Sequence, residues 1–352
     1  MVGDRGAVGR PRTGGQNGAT VEAEGVNVAF VPGEVVAPGD PRILLEGQWG
    51  HEPGLAITVN SGSRLSFGFS GTGVQLLFDT DGLTVAPQLW VSVDQAEPTL
   101  HLIEQPVLEL TVPDGRHTVD LVVKDVNEFV NRWNPPFACA VIFAGLVLDA
   151  TTRLRLGAQP GGPRFEFYGD SITQGVRALS ADPESAGADG AKSFAYLTAR
   201  AFGATAYQVG FGRQGVLRTG NGEVPAGTDS FGWNFAGSRA LRIAAPDLVV
   251  LNLGVNDETL TADQYAGYLR TVRAAYPGST IVALSPFSGK FAGEIAAGVK
   301  AVEDPAVHYV PTDGWITEAD CTDGLHPSVS GHAKIADQLV PVLQRLTGLS
   351  PR

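Results

Sequence analysis

Residues 164–175, RFEFYGDSITQG, carry the clearest structural signal in the second half of the chain. Apolar side chains alternate along the first five residues as in a strand, and Gly169 then breaks the strand just before Ser171. Such a turn lifts a serine hydroxyl off the sheet edge, and the first N–H groups of the following helix can stabilise a developing negative charge. The segment predicts that Ser171 is a nucleophile. An Asp-Ser pair also caps many helices that carry no chemistry, so this segment alone leaves both interpretations open.

A second segment far downstream, residues 323–328 (DGLHPS), favours the interpretation of Ser171 as a nucleophile. Together with Ser171, its Asp and His are the parts of a hydrolytic triad. Of the six histidines, His326 is the best candidate for a general base, because an Asp lies three residues before it and a Pro directly after it. Asp323 would orient His326, although an Asp before a Gly is also a common turn former. For His332, on the last predicted helix, exposure on the helix surface is favoured, with a position facing the site as the alternative.

Three blocks in chain order resemble those of the SGNH (GDSL-type) hydrolases: residues 169–173 (GDSIT), 254–257 (GVND) and 323–327 (DGLHP). The resemblance covers roughly the last 190 residues. It implies a flavodoxin-like three-layer α/β/α domain that hydrolyses acyl esters with a serine nucleophile. It also implies an oxyanion hole formed by the backbone N–H of Ser171, a glycine N–H from the family's second block, and the side-chain amide of Asn256.

The glycine of that oxyanion hole is a choice among several. The run from Gly210 to Gly215 offers three glycines, of which Gly215 is favoured and Gly212 is the alternative. Gln208 stands where the common form of the family has an Asn, so the match to this block is incomplete.

Composition excludes several classes of partner. The chain has 352 residues, 43% of them hydrophobic, and a formal net charge of −12, which disfavours nucleic acid and anionic membranes. No apolar run approaches the roughly 20 residues of a membrane-spanning helix. The two cysteines, Cys139 and Cys321, lie far apart and without metal-ligand spacing. We therefore expect no cofactor, no metal and no membrane contact, and a small-molecule or oligosaccharide ester as substrate.

The first 25 residues are rich in glycine and predict a disordered leader. They lack the apolar stretch of a secretory signal, which favours a cytoplasmic protein, with secretion as the alternative if a signal has been removed.

The rest of the chain divides by texture into two predicted domains. Residues 26–157 show alternation with period two and predict an all-β sandwich or jelly roll, including a hairpin that turns at residues 113–115. Residues 158–352 alternate strands with helices and predict a mostly parallel sheet covered on both faces. The short linker at residues 159–163 should hold the domains together, and Trp90 or Trp133 is a candidate to contact the second domain.

A β-sandwich placed before an SGNH domain resembles carbohydrate esterase family 2, whose members deacetylate plant polysaccharides. The resemblance implies an acetyl esterase, possibly an acetylxylan esterase, with a small acyl pocket. Three aromatic residues are candidates for stacking on sugar rings, or alternatively for plugging the domain interface: Phe231, Trp233 and Trp315.

Other functions remain open at this point. An acyltransferase would use the same acyl-enzyme and pass the group to an alcohol. A short-chain, lipase-like esterase would act on a metabolite that is not a carbohydrate. An inert binding protein is disfavoured, because every expected catalytic residue is present.

Overall fold

The computed structural model of the chain describes residues 19–22, 30–157, 161–240 and 245–352. Within the predicted leader, Ala19–Glu22 form strand β1, which pairs in parallel with residues Leu108 to Thr111. The remainder of the leader prediction, residues 1–18 and 23–25, lies outside the described residues.

The N-terminal half of the described chain is built of strands, and we call residues 30–157 the β region. Its strands follow one another without an intervening helix: β2 (Pro32–Val36), β3 (Leu44–Glu46), β4 (Gly50–Glu52), β5 (Leu55–Thr58), β6 (Arg64–Phe78), β7 (Gln88–Val93), β8 (Thr99–Leu102), β9 (Val107–Asp125), β10 (Val141–Asp149) and β11 (Arg153–Arg155). The main path of hydrogen-bonded neighbours runs β4-β5-β10-β6-β9-β7-β8. All pairings along this path are antiparallel, as the alternating sequence predicts.

The hairpin predicted at residues 113–115 is wrong. Residues Val107–Asp125 form the single strand β9, which pairs with β6 on both sides of that point. Gly71 of β6 lies opposite Gly115 of β9, and the register shifts directly afterwards, between Gly71 and Gly73. The Pro-Asp-Gly signal thus marks an irregularity in a long strand pair, where glycines accommodate the bend.

The C-terminal half alternates strands and helices, and we call residues 161–352 the α/β region. Its elements are β12 (Arg164–Gly169), α1 (Ser171–Gln174), α2 (Phe194–Ala201), β13 (Thr205–Gly210), α3 (Gly227–Ser230), β14 (Trp233–Phe235), β15 (Ser238–Arg239), β16 (Leu248–Asn252), α4 (Ala262–Ala275), β17 (Thr280–Leu284), α5 (Ala292–Val302), β18 (Val307–Val310) and α6 (Val329–Thr347). Within the described residues, five of these strands form one parallel sheet in the order β13-β12-β16-β17-β18.

Two hydrophobic clusters contain alternate residues of the central strand β16. Val249 and Leu251 share one cluster with Tyr265 of α4 and Ile295 of α5. Leu248 and Val250 share the other with buried residues of α2 and α6: Phe194, Ala195, Ala199, Ile335, Leu339 and Leu343. Successive side chains of a strand point to opposite faces, so both faces of the sheet are buried and ligands can reach only its edges. The carboxyl ends of β12 and β16 therefore position the site described next.

The β region and the α/β region meet in a polar and aromatic interface. The indole of Trp90 donates a hydrogen bond to Asp189 (3.0 Å), and Trp133 packs edge-on against Phe211 with ring centroids 5.8 Å apart. The buried Lys124 ammonium donates to the backbone carbonyl of Ser185. Both tryptophans singled out in the sequence thus contact the α/β region.

Candidate active site

The turn after β12 presents Ser171 at the start of α1. Asp170 caps this helix, because its carboxylate accepts a hydrogen bond from the backbone N–H of Ile172 (2.9 Å). Gly169 is needed at the strand end, since a Cβ there would lie 2.0 Å from the Thr173 hydroxyl oxygen. Burial raises the pKa of Asp170 to about 7, against the opposing effect of its backbone hydrogen bonds. The Ser171 side chain is held in a largely enclosed turn, with the residue 8% exposed.

The loop before α6 brings a carboxylate and an imidazole to that serine. Asp323 accepts hydrogen bonds from the backbone N–H of Leu325 (3.1 Å) and of His326 (2.8 Å), which fixes the tight turn. Its other oxygen lies 2.8 Å from His326 Nδ1. On the far side of the ring, His326 Nε2 lies 2.9 Å from Ser171 Oγ. The structure therefore brings the three residues predicted from sequence into one hydrogen-bonded chain.

Sequence reasoning did not identify Arg177, which contacts Asp323 in this series of hydrogen bonds. Its guanidinium pairs with the same Asp323 oxygen that faces the imidazole, and the Thr322 hydroxyl donates to its backbone carbonyl (2.8 Å). Partial burial would raise the pKa of Asp323, but hydrogen bonds from His326, Arg177 and Leu325 outweigh this effect and lower it far below its usual range. Asp323 is consequently an anion throughout the physiological pH range.

The predicted oxyanion donors are only partly free. Asn256 uses one amide hydrogen to bond the backbone carbonyl of Gln214 (3.1 Å), which leaves its second hydrogen available. The N–H of Gly215 donates to the carbonyl of Arg218 (3.0 Å), so the structure does not present it as a free donor, contrary to the sequence-based expectation. The N–H of the alternative, Gly212, is also engaged, with the side chain of Gln174 (3.1 Å).

The neighbouring Asp257 explains the shape of this loop. The carboxylate of Asp257 accepts the backbone N–H groups of Val216 and Leu217, both at 2.8 Å. A Cβ on Gly215 would lie 2.5 Å from that carboxylate, so glycine is required there for packing. The glycine signal in the sequence therefore has a structural cause that does not depend on oxyanion binding.

Gln174, at the end of α1, connects the nucleophile helix to the β region. Its side-chain oxygen accepts hydrogen bonds from Arg132 Nη2 (2.9 Å) and from the N–H of Gly212. Its amide nitrogen donates to Asp125 (3.1 Å) and to the carbonyl of Val126 (3.4 Å). Because Gln174 and Arg132 are both fully buried, this network anchors α1 without help from solvent.

A buried carboxylate of the β region reaches the same loop. Glu128 accepts a hydrogen bond from Asn221 (3.0 Å), and a Cβ on Gly212 would lie only 1.3 Å from its carboxylate oxygen. Burial raises the pKa of Glu128, while the nearby Arg132 and Asn221 oppose that shift. The residue was missed in the sequence because no motif links the β region to Gly212.

The three aromatic residues predicted to bind sugar occupy other places. Phe231 is buried, and its ring contacts Tyr168, Tyr268 and Tyr276 with centroids 4.9 to 6.3 Å away, so it is a core residue. The assignment of Phe231 as a sugar-binding residue is therefore wrong. Its burial could not be predicted from the sequence, because an aromatic residue in a glycine-rich loop can be either buried or exposed.

Trp233 and Trp315 are half-buried. The guanidinium of Arg239 lies 3.9 Å from the Trp233 ring centroid and covers one face of that ring. Trp315 lies 6.5 Å from the ring of Phe287 and lines a groove beside β18 and α6. The structure does not bring either tryptophan together with the Ser171–His326 pair.

His332 is also misplaced by the sequence prediction, since it is fully buried in α6. Its Nδ1 accepts the backbone N–H of Phe194 (3.1 Å), and its ring stacks on that of Phe194. Burial lowers the pKa of His332 to about 3, with the nearby His326 contributing in the same direction. His332 is buried because α6 packs against α2. The residues around His332 in the sequence do not reveal this packing.

A serine hydroxyl, an imidazole and a carboxylate in sequence are the arrangement by which serine hydrolases activate a nucleophile. Residues 167–334, which include all three, match the model of the GDSL-like lipase/acylhydrolase family. This stretch of the chain therefore resembles that family, and the protein is a carboxylic ester hydrolase.

Carbohydrate esterases are among the proteins that are similar to this one over nearly the whole chain. An acetylxylan esterase / glucomannan deacetylase of Cellvibrio japonicus is 23% identical over 345 residues, which cover 88% of this chain and 90% of that protein. A family two carbohydrate esterase structure from the same organism shares the fold, with a TM-score of 0.77, 21% identity, and coverage of 90% of this chain and 98% of that one. The structure of a family two carbohydrate esterase from Clostridium thermocellum in complex with cellohexaose has a TM-score of 0.70 and 21% sequence identity. The match covers 87% of this chain and 99% of that one.

Two negative findings concern the described residues alone. None of their helices is both long and apolar enough to cross a membrane. Nor do they contain a cluster of three His, Cys, Asp or Glu side chains suited to hold a metal ion.

Proposed function

We propose that the protein is a serine esterase that removes short acyl groups, in particular acetyl groups, from carbohydrates or related small esters. The observation that carries the proposal is the continuous contact from Asp323 through His326 to Ser171, with distances of 2.8 Å and 2.9 Å. These are hydrogen-bond distances at which the imidazole can take the serine proton without rearrangement.

The reaction would proceed through an acyl-enzyme. Ser171 Oγ attacks the ester carbonyl while His326 Nε2 accepts its proton, and His326 then gives that proton to the leaving alcohol. In the second step water attacks the acyl-enzyme while His326 accepts its proton. His326 then returns this proton to Ser171 Oγ as the carboxylic acid is released. Asp323 holds the ring in the required tautomer and stabilises the imidazolium, and Arg177 keeps Asp323 ionised.

Charge on the carbonyl oxygen would be stabilised by the backbone N–H of Ser171 and the free amide hydrogen of Asn256. Gly215 could contribute a third donor only after releasing the carbonyl of Arg218. Two donors are in keeping with a site of this type, since each one contributes substantially to the rate.

The proposed carbohydrate specificity is supported by the relatives, one named for acetylxylan and glucomannan and another bound to cellohexaose. The alternatives are transfer of the acyl group to an alcohol and lipase-like hydrolysis of a metabolite ester. Transfer differs from hydrolysis only in the acceptor, so product analysis with and without added alcohol separates them.

The same proposal divides the chain into a leader (residues 1–25), a jelly-roll-like sandwich (26–157) and a flavodoxin-like three-layer SGNH domain (158–352). The parallel strand order and the two clusters that share β16 support the three-layer assignment. The antiparallel strand path supports the sandwich.

The test is acetate release from acetylated xylo-oligosaccharides by the wild-type protein and by Ser171→Ala, with Ser180→Ala as an exposed serine control. Ser171→Ala should lower turnover by several orders of magnitude, because loss of one triad member removes most of the rate enhancement. A Ser171→Ala protein that keeps a tenth of the activity would refute the proposal.

A further inference from the structure

A cavity of about 290 Å³ at the carboxyl edge of the sheet is lined by the chain neighbours of Ser171 and His326. Its wall contains Ile172, which follows the serine, and Leu325, which precedes the histidine. Val255, the neighbour of Asn256, lies in the wall as well. Residues next to the nucleophile, the base and the amide thus enclose one space, which none of the three predicted aromatic residues lines.

The size of the cavity decides which part of an acylated sugar can enter. An apolar protein cavity of about 150 Å³ holds a benzene molecule, and ligand pockets for whole small molecules begin near 300 Å³. An oligosaccharide is too large for a space of about 290 Å³, whereas an acetyl group fills only a fraction of it. The acyl group is the one part of such an ester that is small enough to enter, and the cavity has room for more than acetyl.

The chemistry of the wall narrows the acyl group further. Ile172, Val255, Phe287 and Ile316 give it an apolar body. The acidic side chains among the described wall residues are Asp170 and Glu318, and that set contains no Lys or Arg. A wall of this kind accepts an uncharged apolar group and repels an anionic one, such as a hemisuccinyl group.

We propose that this cavity is the acyl-binding pocket and that it accepts uncharged acyl groups up to the size of benzoyl. The inference rests on the proposed serine-esterase function and extends its substrate class from acetyl to larger and aromatic acyl groups. The sugar, or another alcohol, remains on the open side of the imidazole, where His326 protonates it.

The first experiment compares kcat/KM for 4-nitrophenyl acetate, benzoate and hemisuccinate, each corrected for its hydroxide-catalysed rate. The corrected benzoate value should lie within about tenfold of acetate, because its ring finds apolar volume, and hemisuccinate should be at least tenfold poorer than benzoate. Ile316→Trp, which fills the cavity, should lower the benzoate-to-acetate ratio at least tenfold. Val329→Trp, an exposed position on the following helix, should leave that ratio within twofold.

A second measurement does not depend on a folded cavity variant. The free thiol of Cys321 lies in the wall, and the only other cysteine, Cys139, is fully buried. Phenylboronic acid, which binds an active serine through its oxygen, should slow maleimide labelling of Cys321 at least threefold at alkaline pH. Methylboronic acid occupies the same serine without reaching the wall and should leave labelling unchanged.

The outcomes separate this proposal from the one on which it rests. Ser171-dependent acetate turnover with corrected benzoate turnover a thousandfold lower would overturn the pocket assignment and leave the esterase standing. An unchanged ratio in Ile316→Trp, or equal labelling with both boronic acids, would also overturn it. If Ser171→Ala still turns over 4-nitrophenyl acetate, the proposed serine-esterase function is refuted.

Discussion

Two loops contact helix α1, one at Ser171 and the other at Gln174, and they do so by different means. In the loop at residues 320–328, Asp323 and His326 contact each other three residues apart in the chain, and His326 is buried. In the β-region loop at residues 126–133, Arg132 reaches Gln174 across 42 residues, and both side chains are buried. The reactive groups thus come from a short local motif, whereas the support of the nucleophile helix comes from a long-range contact between the two regions.

The largest effect should come from the local loop. We expect Asp323→Asn to lower kcat by about 10²–10⁴-fold, because the amide no longer stabilises the imidazolium and favours the wrong tautomer, and to lower stability as well, because Arg177 loses its ionised partner. Steady-state kinetics on 4-nitrophenyl acetate with a thermal melt check both parts. A kcat within threefold of wild type would mean that another group orients His326.

The long-range contact should affect stability and rate together. Arg132→Met should destabilise the protein by about 3–5 kcal/mol, since it removes a buried cation that interacts with the buried carboxylates of Glu128 and Asp125. We also expect kcat to fall about tenfold at constant KM, because α1 loses an anchor. Denaturant unfolding and kinetics on the folded fraction measure the two effects separately.

Lys124→Met is the matched control, since Lys124 is another buried cation that joins the regions without touching α1. It should destabilise the protein and leave kcat within twofold of wild type. If both variants lower kcat equally, the interface acts through general stability and Gln174 has no special role.

A smaller effect is expected at Arg177. Its pairing with Asp323 is partly exposed to solvent and therefore screened, so Arg177→Gln should lower kcat about three- to tenfold. Arg213→Gln, an exposed arginine in the second-block loop, should leave kcat unchanged. A loss above a hundredfold would show that Arg177 takes part in binding the substrate.

The smallest effect concerns pH and His332. Its folded pKa of about 3 lies below the unfolded value of about 6.5, so the unfolded chain binds the extra proton between these values. Stability is therefore complete above about pH 6.5 and is lost as the pH falls, by up to about 1.4 kcal/mol per unit. We expect the stability difference between wild type and His332→Asn to narrow from pH 7 to pH 5 in urea titrations. A constant difference would contradict burial of a neutral ring.

The sequence predicted the α/β region well because its signals are periodic and local. The alternation of strands and helices predicted from residue 158 onwards is present, for example in the series α4, β17, α5 and β18. It failed at residues 113–115, where a turn signal lies within a long strand, and at Phe231 and His332, whose burial depends on distant elements. Arg177, Glu128 and Arg132 could not be predicted, because their partners lie far along the chain and no spacing links them.

The anchoring of Gln174 also bears on how the protein forms during synthesis. A chain is made from its N-terminus, and domains generally fold in that order. The β-region loop with Asp125 and Arg132 is translated before the nucleophile helix, so its docking surface can already exist when residues 171–174 appear. Reversing the order of the two regions by circular permutation would take away this advantage, and we expect such a protein to reach its active form more slowly than the natural one.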